Sequence, residues 1–316
     1  MNTLLVLQQM IVLLAMMATG YLTCHIGWID DHVYSRLSKL VVNVFNPILT
    51  IYSVLGTSLK TTGPVFWQNM ALVFIFYALL FLAGFLVVGI LRPCPEERPI
   101  YRMMTLLPNI GFMGIPIVAA LLGTQYIIYV AIYMLLYGIL IYTYGIALCH
   151  KASLAEGNTQ SPTSSLWDKL KPILTNPGII ASVIALIIFF GEIQVPIPVK
   201  SFLNYMGNPS IPLSMFLIGC SLSFVNFKEL LTDIRIYGFV VFKMLIFPIV
   251  CTFLIPILPF DAHILKLFII MCSMPAGSMV VLIAEECGVK SYCATKGVVL
   301  STIVCAITFP IVSLFL

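Results

Sequence analysis

Ten apolar runs separated by short polar breaks fill this chain, at roughly 4–28, 36–58, 64–91, 98–121, 124–149, 172–191, 201–223, 235–258, 264–286 and 292–316. A helix that crosses the hydrocarbon core of a bilayer needs about 20 apolar residues. Backbone exposed to lipid must satisfy its own hydrogen bonds. Runs of this length therefore predict an all-α polytopic membrane protein with ten transmembrane helices. A membrane β-barrel would show alternating polarity, whereas these runs are continuous. Composition agrees. Of 316 residues 61% are hydrophobic and 9% charged, against about 25% charged in a soluble globular protein, and the mean hydropathy is +1.09. A soluble enzyme, a disordered chain and a nucleic-acid binder are excluded, the last because a net charge of +4 supplies no basic patch. Ten spans of this kind take up about 220 residues and leave about 96 for loops and ends, too few for a sizeable soluble domain.

Cysteine and histidine usage adds no framework. The nine cysteines (Cys24, Cys94, Cys149, Cys220, Cys251, Cys272, Cys287, Cys293 and Cys305) are scattered, form no CxxC, and fall mostly in apolar runs, where cysteine acts as a small hydrophobe. His25, His32, His150 and His263 are isolated, so no metal-ligand spacing exists and neither metal nor cofactor is expected. The first apolar stretch, Leu4–Trp28, is too long for a signal-peptide core and lacks a basic leader, the first Lys or Arg being Arg36. It reads as the first membrane helix.

Basic residues set the expected orientation. Arg36, Lys39, Arg92, Arg98, Arg102, Lys151, Lys169, Lys171, Lys228, Arg235, Lys290 and Lys296 fall at the loops that follow odd-numbered helices; Lys60, Lys200 and Lys266 fall on the other side. The positive-inside rule places the larger group in the cytoplasm and both termini outside a cell membrane. Trp28, Trp67 and Trp167 lie at or near expected helix ends, as an aromatic belt requires.

The most polar stretch, 150–171, contains Gly157-Asn158-Thr159-Gln160-Ser161-Pro162-Thr163-Ser164-Ser165 and reads as a cytoplasmic linker. It divides the chain into five helices over 1–149 and five over 172–316. An odd number per half inverts one half relative to the other, a recurrent plan of secondary transporters. The clearest internal trace is Pro47 through Gly56-Thr57-Ser58-Leu59 against Pro212 through Gly219-Cys220-Ser221-Leu222.

Helices 4 and 9, the matching helices of the two halves, are both interrupted. The first carries Leu107-Pro108-Asn109-Ile110-Gly111-Phe112-Met113-Gly114-Ile115-Pro116 and the second Met274-Pro275-Ala276-Gly277-Ser278. Proline removes a backbone donor and clashes with the preceding turn; glycine costs about 1 kcal/mol against alanine in a helix interior. Matched interruptions point to broken helices near the midplane, whose free N–H groups and positive dipole ends attract anions. The alternative is a pair of kinks used only in packing. The polar side chains Asn109 and Ser278 favour a site, with Pro108, Asn109, Gly111, Pro275, Gly277 and Ser278 as candidate substrate-binding residues.

Asn43 and Asn46 in helix 2 stand three apart, a spacing that shares one face of an α-helix. Asn46 is the further candidate, facing either a substrate path or a neighbouring helix. Lys243 lies eight residues beyond Arg235, about 12 Å into the bilayer. It is either a functional intramembrane charge or a side chain that snorkels to the surface. Glu285-Glu286 closes helix 9 near the cytoplasmic face. No Asp or Glu falls in the middle of an expected span, so coupling to an inward cation gradient, which normally uses a membrane carboxylate, is not supported.

The stretch Leu107–Pro116, then Leu174-Thr175-Asn176-Pro177-Gly178-Ile179-Ile180, then Met274–Ser278 through Ala284-Glu285-Glu286-Cys287-Gly288, then Leu300-Ser301-Thr302 through Thr308-Phe309-Pro310 resemble, in that order, the auxin efflux carrier family of bacterial permeases, which includes malate and malonate permeases and plant auxin exporters. The resemblance spans essentially the whole chain. It implies two inverted five-helix repeats, a scaffold of helices 1, 2, 6 and 7, and a transport domain of helices 3–5 and 8–10. It also implies that helices 4 and 9 cross at proline with the substrate carboxylate beside the crossing. Pro108-Asn109 and Pro275 match those positions. The long cytoplasmic loop of the plant exporters is absent.

The function expected is a secondary carrier for a small organic anion such as malate or malonate, with the lipid bilayer and a homodimeric arrangement as its surroundings and no nucleic acid. An anion channel is the alternative reading. An intramembrane enzyme would need a His/Glu metal pair, an Asp pair or a Ser/Lys dyad within the spans, and the sequence shows none.

Overall fold

The computed structural model describes residues 3–55, 59–155, 171, 174–223, 233–286, 289 and 292–313. Every regular element among them is helical. In chain order these are α1 (Thr3–His25), α2 (Asp31–Leu40), α3 (Asn46–Ser53), α4 (Leu59–Leu91), α5 (Arg98–Leu106), α6 (Ile115–Leu121), α7 (Ile127–Leu140), α8 (Ile146–Ala155), α9 (Pro177–Phe190), α10 (Ile197–Gly207), α11 (Ser210–Ser223), α12 (Ile234–Val241), α13 (Phe247–Leu254), α14 (Ala262–Cys272), α15 (Met279–Glu286) and α16 (Tyr292–Ser313). Most of the expected linker, and Trp167 with it, lies outside the described residues.

Helix starts are written locally. Asp30, Asn176, Asp233 and Asp261 each cap the helix after them by accepting backbone N–H groups, the usual role of a short polar side chain at that position. Pro177 follows its cap at the first helical position, where a missing N–H costs nothing.

Four π turns join neighbouring helices, at Val41–Phe45, Ile110–Gly114, Ile141–Gly145 and Phe242–Ile246. Three of them are followed two residues later by proline: Pro47, Pro116 and Pro248. A proline ring clashes with the carbonyl four residues before it, and the extra residue of a π turn removes that conflict while the helix continues. The second expected helix thus begins at Asp31 and ends at Ser53. Because a π turn rotates less per residue, Asn43 and Asn46 do not share a face: Asn43 is exposed and Asn46 buried. The seventh expected helix is divided at Asn208-Pro209 into α10 and α11, and the fifth runs on through residue 149 to Ala155.

Among the described residues three helical stretches are long and apolar enough to cross a membrane by length and composition alone: Pro64–Leu91, Thr124–Ala155 and Ile234–Leu254. Shorter apolar helices accompany them, including Ile110–Leu121 and Ala262–Cys272 on the far and near sides of the two proline interruptions. The exterior is apolar. Ile197, Phe253, Ile257 and Leu86 are all exposed, a surface that water would not tolerate over such an extent. Exposed Trp28 lies in the turn after α1, as expected, whereas exposed Trp67 lies inside α4, eight residues after its start.

Two glycines set the closest helix contact. A Cβ on Gly20 would fall 1.9 Å from the Phe216 carbonyl oxygen, and one on Gly219 would fall 1.8 Å from that of Met17. Only hydrogen fits on either side, so α1 and α11 pack backbone to backbone, as small residues permit in membranes. Cys220 donates its thiol to the Gly20 carbonyl at 3.3 Å in the same contact.

Candidate functional site

Both interruptions open where the chain leaves the helix before a proline. Leu107 has φ −112° and ψ 79°, and Asn109 φ −79° and ψ 66°. The second interruption follows Cys272 and ends where α15 begins at Met279. The two meet. Asn109 N–H donates to the Pro275 carbonyl at 2.8 Å, and Gly277 N–H to the Leu107 carbonyl at 2.8 Å, forming one antiparallel bridge in which Pro108 faces Ala276.

This geometry explains the proline. In an antiparallel ladder the facing residues of a wide pair turn their own N–H groups away from each other. Pro108 occupies such a position, so its missing N–H is not needed by the bridge. Ala276 does have an N–H, turned away, and it donates to Ser301 Oγ on α16 at 3.2 Å. Ala276 and Ser301 are completely buried, where an unpaired donor would cost about 1–3 kcal/mol.

Asn109 does two things at once. Its backbone N–H, expected from the sequence to be a free donor, is taken by Pro275. Its Oδ1 accepts from Phe112 N–H at 3.3 Å and so caps the helical segment Ile110–Leu121. Its Nδ2 is the part of the side chain not used in that cap, and the residue is 8% exposed. Gly277 is required by contact: a Cβ there would lie 2.9 Å from the Leu107 carbonyl oxygen and 3.1 Å from the Tyr137 hydroxyl.

Asn46 reaches the same cluster from α3. Its Nδ2 donates to the Gly111 carbonyl at 3.2 Å, and its Oδ1 accepts from Ser210 Oγ of α11. Pro108, Asn109, Gly111, Pro275, Gly277 and Asn46 therefore belong to one contiguous group, with half-buried Ser278 at its edge. Ser210, Ser301 and Tyr137 belong to it too and were not expected. Ser301 stood within a motif of the resemblance, but nothing in its spacing placed its hydroxyl on the second interruption.

The cluster is held by neutral groups: amide and hydroxyl donors, backbone carbonyls, and the starts of two helical segments. Helix starts direct unpaired N–H groups outward, and such ends suit an anion's oxygens. Among the described residues no group of three His, Cys, Asp or Glu side chains could hold a metal. The lysine expected within the eighth helix does not snorkel: Lys243 is completely buried, and its Nζ has no hydrogen-bond partner.

Described residues that are helical in every regular element, with an apolar exterior, fit a polytopic membrane protein. Residues 5–313 match the family described as "Membrane transport protein", and the chain belongs to that auxin efflux carrier-type family. It is also 21% identical over 293 residues to a protein of Rhizobium meliloti (strain 1021) named "Putative malonate transporter", an alignment covering 92% of this chain and 89% of that one. A transporter family, not an enzyme family, accounts for nearly the whole length.

Proposed function

We propose that this transporter is a secondary carrier of a small organic anion, a carboxylate of the malate or malonate kind, and that the anion binds where the two interruptions meet. The observation that carries the reading is the reciprocal pair of backbone hydrogen bonds across Pro108 and Ala276. It fixes two helix starts and the Asn109 amide around one point of the interior, and none of the side chains that hold this point is a carboxylate that would repel an anion. The name of the Rhizobium meliloti relative supports the choice of substrate class.

The carrier so proposed has ten spans in two inverted halves, 1–149 and 172–316, joined by the cytoplasmic linker 150–171, with helices 4 and 9 crossing at the bridge. Helices 1, 2, 6 and 7 form the fixed part and the rest the moving part. Both termini are outside the cell, which labelling of Gln160→Cys and Pro198→Cys in a cysteine-free background checks: position 160 reacts only from the cytoplasm and position 198 from outside. Export is the downhill direction, since moving one negative charge out of an inside-negative cell releases about 2.3 kcal/mol per 100 mV.

The test is a thermal-stabilisation screen of purified protein against mono- and dicarboxylates, followed by flux into liposomes under an imposed potential. Stabilisation by a carboxylate and potential-driven, saturable counterflow are expected. Flux that ignores potential and follows a pH gradient overturns the driving force, and conductance without counterflow favours a channel.

A further inference from the structure

Lys243 is the tenth residue of the 21-residue apolar stretch Ile234–Leu254, hence near the middle of the membrane. It lies in the π turn Phe242–Ile246, a feature that recurs at functional positions of helices. Its Nζ is buried without a hydrogen-bond partner and sits 5.2 Å from the centre of the Phe247 ring. The polar side chains around it are thiols: Cys251 in α13, Cys272 from α14 and Cys305 from α16. Among the described residues no carboxylate is placed against it.

An ammonium here is expensive to bury and receives only partial compensation. The aromatic face supplies some. The end of α14 at Cys272 is a second source, because carbonyls at a helix C-terminus carry partial negative charge. That end leads within three residues to Pro275 and the bridge, and Cys305 donates to the Ser273 carbonyl at 3.7 Å, binding α16 to the same turn. Lys243 thus neighbours the helix end that leads into the second interruption. A charge so placed, in a low-dielectric interior, is best balanced by an anion at the bridge.

We infer that Lys243 is the resident cation of the moving part of this carrier and offsets one negative charge of the bound anion as it crosses the membrane. The inference rests on the anion-carrier reading above. Its consequence is a division of the voltage dependence. The loaded unit crosses with one negative charge fewer than the anion carries, and the empty unit returns with one positive charge. Each cycle still exports only the anion's own charge, so the driving force is unchanged. Lys296 and Arg102 lie near the starts of α16 and α5, toward one face, and cross much less of the field.

Voltage steps applied to protein in a planar lipid film, in substrate-free buffer, test this directly, with malonate counterflow in liposomes measured on the same preparations. Wild-type protein is expected to show a transient charge movement without substrate. Lys243→Met, and Lys243→Gln as a second variant, should lose it, bind malonate more weakly, and at saturating malonate show counterflow steeper in voltage by one elementary charge. The inference is overturned if the transient persists in both variants, if wild type has none while counterflow is present, or if folded variants lose both signals, which would assign Lys243 to structure. A wild-type transient lost in the variants, without binding or counterflow of malonate or malate, would instead remove the substrate reading and leave the charge assignment standing.

Discussion

The two interruptions reach the same end by different means. The first carries its own cap, although its Asn109 N–H is held by Pro275 across the bridge: Pro108 opens it, Asn109 Oδ1 caps the helical segment beyond it, and the π turn Ile110–Gly114 carries the chain to Pro116. The second depends on its surroundings. Its Ala276 N–H is held by Ser301 from another helix, and its Gly277 N–H by the first interruption itself. A local cap survives changes elsewhere, whereas a borrowed one fails when any lender is lost. The first interruption is therefore the more locally held half of the meeting point, and the second the half whose order reports on packing around it.

That contrast breaks most severely at Gly277. Gly277→Val places a branched side chain against the Leu107 carbonyl and Tyr137, separating the halves. Overpacking of this kind costs about 1–3 kcal/mol. Counterflow should fall at least tenfold in protein that still inserts; wild-type flux would show that the bridge is dispensable. Ser301→Ala comes next. It leaves the Ala276 N–H buried and unpaired at a cost of about 1–3 kcal/mol, and should lower the melting temperature and speed hydrogen exchange at 276–279 while leaving 109–114 unchanged. Equal acceleration at both would refute the asymmetry. Asn46→Ala removes the links to Gly111 and Ser210, about 0.6 kcal/mol per membrane hydrogen bond, a loss that falls on helix packing, so the melting temperature should drop slightly while substrate affinity stays close to wild type.

The smallest effect lies outside the membrane. Glu97, just before α5, has its carboxyl pushed above the usual range, first by burial and then by the nearby charge of Asp233. A raised carboxyl favours the folded state as pH falls through that raised value and opposes it above. Glu97→Gln should therefore raise the melting temperature slightly at pH 7.5, with the gain shrinking toward pH 4.5. A gain that grows on acidification would contradict the assignment.

Much of this could be read from residue order. Run length alone gave the helical membrane class, and proline and glycine marked both interruptions, since each removes or weakens a specific helical hydrogen bond. What proline could not indicate was which N–H groups remain unpaired. That depends on contacts between residues far apart in the chain, so residue order leaves open the partner of the Asn109 N–H and the place of Ser301. The Asn43–Asn46 pairing failed for a local reason: a fixed 3.6-residue period does not anticipate a π turn ahead of Pro47. Lys243 was legible as a charge in the wrong medium, but only its packing against α14 and α16 separated burial from snorkelling.

The central claim is that the anion binds at the meeting point of the interruptions, and Asn109 tests it most directly. Equilibrium binding of the best carboxylate from the screen should be measured in wild type, Asn109→Ala and Asn46→Ala after confirming equal insertion. Losing one hydrogen bond to a charged ligand costs about 1.5–3 kcal/mol, so Asn109→Ala should bind about tenfold to a hundredfold more weakly, with Asn46→Ala close to wild type. Unchanged affinity in Asn109→Ala together with a large loss in Asn46→Ala would contradict the account and move the site to the second helix.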